Sequence, residues 1–177
     1  MDSYIGIDVS STRTGLAIIE EGKLVHSSSI SPKKKLSEIS KLAHIIEGVL
    51  FALSTLSTTE EPTTCIETPI RGNSRGAAKT ITFSTVMYYE LKAINSNVYQ
   101  IYPSTVKKWL TDDGNAKKPA MLEAAQRVEP SIENHDEADA YSLATIAEAI
   151  NNYKENDILP SDEYKKDVIL RATKKGK

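Results

Sequence analysis

The stretch YIGIDVSSTRTGLAII, residues 4–19, reads as two β-rich runs joined by a short polar segment, with one carboxylate, Asp8, closing the first run. An ionised carboxylate buried without a partner costs several kcal/mol, so such a residue is paired, hydrogen-bonded or bound to a metal. The rest of the chain is therefore read for groups that could serve Asp8.

Working outward, EEGK turns the chain into KLVHSSSI and completes a three-stranded antiparallel meander. From 36 to 56 the apolar residues Ile39, Leu42, Ile46, Val49, Leu50 and Leu53 follow helical spacing, with Ser37, Glu38 and Lys41 outward. PTTCIETP is a β-branched run stopped by Pro69, which predicts a fourth strand ending at Glu67. The polar, glycine-containing IRGNSRGAAKT leads into a helix over 76–95, and NVYQIYP reads as a fifth strand. Helices follow at STVKKWL and PAMLEAAQRV, separated by the turn TDDGN. A last helix, NHDEADAYSLATIAEAI, places Leu143, Ile146, Ala147 and Ile150 on its buried side. This order predicts an α/β domain with a mixed five-stranded sheet, the meander plus two parallel strands, flanked by helices. Residues 1–152 are read as the domain and 153–177, rich in charged and polar residues, as a solvated tail.

Composition bounds the function classes. At 177 residues and 40% hydrophobic content the chain suits one domain with a proper core. The single cysteine, Cys65, offers neither an internal disulfide nor a zinc site and reads as a small buried strand residue. No apolar run approaches the ~18 residues that span a bilayer, and the N-terminus lacks a charged segment followed by an apolar one, so a cytoplasmic location with no membrane partner is expected. A net charge of −2 does not mark a nucleic-acid binder, but metal ions would neutralise acidic clusters, and basic residues can still gather on one face.

Asp8 ends the first strand, Glu67 ends the fourth, and Asp136 and Asp139 lie three apart, on one face near the start of the last helix. Each has an ordinary explanation taken singly. Asn134 is an N-cap with Glu137 completing a capping box, and Asp136 favours the helix dipole. Together, four carboxylates on three elements of one sheet are the hard oxygen ligands that two divalent cations about 3.5–4 Å apart require. With no P-loop and no Ser-His-Asp pattern, they point to metal-assisted phosphodiester hydrolysis. The pairs Lys107–Lys108 and Lys117–Lys118 flank a turn, and Arg71, Asn73, Arg75 and Lys79 follow Glu67, where they can contact a nucleic-acid backbone. Trp109 and Phe83 sit in helical patterns and read as core.

The combination of IGIDVSSTRTGLAII, CIETP, YPSTVKKWLTDDGNAKK and DEADAYSLA, in this order over residues 4–150, resembles the RuvC family of Holliday junction resolvases in the RNase H-like superfamily, and the size suggests a phage-type member. The resemblance implies a structure-selective DNA endonuclease that cuts four-way junctions by paired nicks, leaving 5′-phosphate and 3′-hydroxyl ends. It also implies a homodimer in the cytoplasm or nucleoid of a bacterial or phage-infected cell. Asp8, Glu67, Asp136 and Asp139 would hold two Mg²⁺ ions, with Mn²⁺ able to substitute, and Lys107 and Lys118 would meet the scissile phosphate. Two departures stand out. The family's proline-glycine after the first aspartate is Val9-Ser10 here, and the loop after Glu67 has no aromatic residue, leaving Ile70, Arg71 or Arg75 to take its place. The first motif also resembles the actin-like ATPases and related tRNA-modification proteins, which would make the chain a nucleotide-binding scaffold. The chain is short for the two-lobed ATPase, and such a scaffold has no need of Glu67 or the Asp136/Asp139 pair.

Overall fold

The structure is a computed structural model, and it describes residues 2–56, 61–69, 75–95 and 97–174. Strands β1 (Ser3–Asp8), β2 (Thr14–Glu20) and β3 (Lys23–Ile30) form the antiparallel meander. Strands β4 (Thr63–Glu67) and β5 (Val98–Ile101) add in parallel beside β1, giving the order β3-β2-β1-β4-β5. This is the mixed five-stranded sheet expected from the sequence. Pro69 lies just past β4, whose last residue is Glu67.

Side chains alternate across a strand, and here the alternation sorts the core into two layers. Ile5, Ile7, Leu16, Ile18, Ile66 and Val98 pack beneath α1 (Glu38–Ser54) and α2 (Arg75–Ile94). Tyr4, Ala17, Ile19, Cys65 and Ile101 form the other layer, beneath α3 (Pro103–Thr111), α4 (Lys118–Val128), α5 (His135–Asn156) and α6 (Glu163–Lys174). Trp109 and Phe83 are buried, one in each layer, and the Trp109 indole donates to Thr145 Oγ1 at 2.9 Å.

Helix α5 lies close on β1 and β2 because two strand residues lack a Cβ. A methyl group at Gly6 would collide with the Ala140 carbonyl and the Ala144 nitrogen, and one at Gly15 with the Asp136 carbonyl. The helix answers with small residues, Ala138, Ala140, Ala144 and Ala147, all buried.

Two expectations need correction. Ile39, expected on the buried side of α1, is 82% exposed, whereas Ile45 and Ala52 are buried with Val49. The segment carries overlapping apolar stripes, and packing rather than periodicity selects one; Gly48 lets the helix come close to Ile30 of β3. The second concerns 153–177, read as a solvated tail. Helix α5 continues to Asn156, and α6 buries Val168 and Ile169 in the same layer as Trp109. Charged residues of both signs crowd this segment, yet Lys165 lies over the Trp109 ring and Lys108 pairs with Asp167 at 3.5 Å, so charge sits outside an apolar contact.

Candidate active site

The alternation that sorts the core also places the first two carboxylates. Asp8 follows Tyr4 and Gly6 on the α5 side of β1, and Glu67 follows Thr63 and Cys65 on β4; the pairing of Ile7 with Ile66 brings the two acids level at the ends of adjacent parallel strands. The ladder continues past Glu67, since Thr68 N donates to the Ile101 carbonyl at 2.7 Å. The start of α5 crosses above. Asn134 caps it by accepting from the backbone N–H groups of Asp136 and Glu137 at 3.1 Å. Glu137 closes the box, accepting from the Glu133 N–H and from Asn134 Nδ2, and is thereby turned inward, off the face that Asp136 and Asp139 share.

Electrostatics shows which of these groups share a site. Burial first, then the charges of Asp139 and Asp136, push Asp8 up to about 7, against which Lys118 works. Burial, then Asp8 and Asp139, push Glu67 up to about 9, opposed by Lys107 and Lys118. Asp139 rises to about 6, chiefly through burial and despite Lys118, with Asp136 also raising it and Lys107 and His135 lowering it. Two lysines from neighbouring elements thus only partly offset a concentration of negative charge. The turn between those elements is held locally: Thr111 Oγ1 donates to the Lys107 and Asp113 carbonyls, and Asp113 accepts from the Asn115 N–H.

The remaining basic residues fall in different places. Lys79 pairs with Glu38 at 3.2 Å, and Lys108 is engaged with α6. Lys117 is the exposed N-cap of α4. Arg75 opens α2, while Ile70, Arg71 and Asn73 lie outside the described residues. Two residues near the site escaped sequence reasoning. Arg13 Nη1 lies 3.4 Å from Asp136 Oδ2. His135 acts on Asp139, and its Nδ1 is buried with no hydrogen-bond partner among the described residues. Neither stands in a pattern that announces chemistry, one being a turn arginine and the other a polar residue at a helix start.

The donor set fits a hard divalent cation: every candidate ligand is a carboxylate, and their mutual repulsion is what such an ion would relieve. Among the described residues no group of three His, Cys, Asp or Glu side chains is placed to hold an ion as it stands, and Asp136 is engaged by Arg13.

The architecture has an RNase H-like fold, a mixed five-stranded sheet with acids at the ends of the central strand β1 and its neighbour β4. Among solved structures the fold is RuvC-like. T. thermophilus RuvC in complex with Holliday junction substrate matches with a TM-score of 0.65 at 18% identity, over 81% of this chain and 91% of that one. A second Thermus thermophilus RuvC structure matches with a TM-score of 0.62 at 19% identity, over 87% of this chain and 97% of that one. No protein-family model and no curated protein sequence matches the chain.

Proposed function

We propose that this chain is a metal-dependent, structure-selective DNA endonuclease that resolves four-way junctions and related branched DNA by paired symmetric nicks. One observation carries the reading: half-buried carboxylates at the ends of β1 and β4 and at the start of α5 repel one another, with Lys107 and Lys118 beside them. The fold supports it, being shared with a RuvC whose structure holds a Holliday junction substrate.

Asp8, Glu67, Asp136 and Asp139 would hold two Mg²⁺ ions, with Mn²⁺ able to substitute. When bound, such ions lower the pKa of an attacking water and stabilise the charge on the leaving oxygen. Lys107 and Lys118 attract the scissile phosphate toward carboxylates that would otherwise repel it. The oxygen of water bonds to phosphorus, the bond to the 3′ oxygen breaks and that oxygen takes a proton, leaving 5′-phosphate and 3′-hydroxyl ends. One set of carboxylates serves one phosphate, so two opposed incisions call for a homodimer whose two-fold axis matches that of the junction.

The test is a panel of end-labelled four-way junction, flap, fork and linear duplex. Paired cuts in opposed strands of the junction are expected in Mg²⁺, binding with little turnover in Ca²⁺, and nothing in chelator. Cleavage undiminished in chelator, or linear duplex cut as well as the junction, overturns the reading.

A further inference from the structure

A pocket of about 540 Å³ opens beside Asp136, between the β1–β2 turn and the segment that leads from β3 to α1. Ser11, Thr12, Arg13, Ser31, Lys34 and Lys41 line it with Asp136, so its wall offers three cations and three hydroxyls against one carboxylate. Lys41 is spoken for, since its Nζ donates to Glu38 Oε1 at 3.0 Å. Arg13 reaches Asp136 with half of its side chain still exposed. Lys34 is exposed and has no acidic partner among the described residues.

The turn that presents Arg13 is built by Ser10. Its hydroxyl donates to the Arg13 carbonyl at 2.7 Å and accepts from the Arg13 N–H at 3.1 Å, while Thr14 Oγ1 accepts from the Ser10 N–H at 3.3 Å. Ser10 stands in the Val9-Ser10 pair at which this sequence departs from the proline-glycine of the resolvases it resembles, and the bonds it makes fix the direction in which Arg13 leaves the backbone.

We propose that this pocket binds a backbone phosphate of the DNA strand next to the scissile one, held by Arg13 and Lys34 with the hydroxyls of Ser11, Thr12 and Ser31. The inference rests on the nuclease reading above and adds a second anchor to it. Lys107 and Lys118 act on Asp8, Glu67 and Asp139, whereas Arg13 engages Asp136. A strand laid across the carboxylates would meet one pair of cations beside Glu67 and Asp139 and another beside Asp136. The Arg13 guanidinium, with five donors in a fixed fork, can turn from a carboxylate to a phosphate with similar geometry. Two anchors flanking the scissile bond would fix the register of the strand, which phosphate contacts do without reading sequence.

The experiment measures binding of a fluorescent four-way junction in Ca²⁺ across a range of salt concentrations, for wild type, Arg13→Gln, Arg13→Lys, Lys34→Gln and Lys23→Gln. Removing a cation that neutralises one phosphate reduces the slope of log affinity against log salt by about 1. Arg13→Gln and Lys34→Gln are each expected to weaken binding several-fold and to show that smaller slope, and Arg13→Lys to restore the slope. Lys23→Gln, at the far end of the meander, should match wild type. Wild-type affinity and slope in both glutamine variants overturns the pocket while leaving the nuclease reading standing. A wild-type protein that does not bind the junction overturns both. Should Arg13→Gln fail to fold, Lys34→Gln, on an exposed connection, decides the matter alone.

Discussion

Asp8, Glu67 and Asp139 are half-buried acids placed beside one another, and their stability cost has a pH signature. Their ordinary values are 3.8 for the aspartates and 4.5 for the glutamate, and in the fold they lie near 7, 9 and 6. The folded state therefore holds protons that the unfolded chain has released, so the stability they lend is fully present below about pH 4 and is lost as pH rises through 6 to 9. Thermal melts in chelator should show the melting temperature falling from pH 5 to pH 9, and Mg²⁺ should raise it most at the alkaline end; a flat profile contradicts the cluster. By the same reasoning Asp8→Asn, which removes one charge from the cluster, should stabilise the ion-free protein at pH 8, on the order of 1 kcal/mol, while harming the function the cluster serves. Denaturant titration checks this, and destabilisation contradicts it. The acids were legible in the sequence because a carboxylate at the end of an apolar run breaks the pattern around it. Arg13 was not, because its bond to Asp136 joins a turn to a helix start far along the chain, and no local spacing encodes that meeting.

Elements bring these residues together, and the packing of α5 on the sheet decides how well. Gly6 and Gly15 allow the helix to rest on β1 and β2 with Asp136 and Asp139 above Asp8. Replacing either by alanine forces the helix away, at about 1–3 kcal/mol or more by the cost of overpacking, and carries the two aspartates with it. Gly6→Ala and Gly15→Ala should therefore lose both stability and ion affinity, measured by denaturation and by calorimetric Mn²⁺ titration; retention of both in either variant contradicts the close-packing account. Helix α6 gives a second test at this scale. Ile169 is fully buried, so Ile169→Ala should cost about 2–5 kcal/mol in denaturant titration, whereas a residue of a solvated tail would cost almost nothing. Strand order and the long α5 were readable from turn residues and from helical spacing. The α1 stripe and α6 were not, the first because two apolar stripes overlap, the second because its one apolar run, Val168-Ile169-Leu170, is short and stands among charged neighbours.

At the scale of the whole molecule, the two layers of helices leave one end of the sheet for chemistry. There β1, β4 and α5 deliver acids, α3 and α4 deliver Lys107 and Lys118, and the β1–β2 turn delivers Arg13. The fold is shared with RuvC at low identity, so the carboxylates rather than the overall resemblance carry the functional claim. That claim is met most directly by a denaturing gel of an end-labelled four-way junction incubated with wild type or Glu67→Gln in Mg²⁺. Both proteins should bind the junction in Ca²⁺, and wild type should release paired nicked strands. Glu67→Gln, lacking one proposed ion ligand, should cut more than about a hundredfold more slowly, beyond what disturbing a supporting contact to a ligand costs. Wild-type cutting by Glu67→Gln, or no cutting by a folded, junction-bound wild-type protein, would contradict the account.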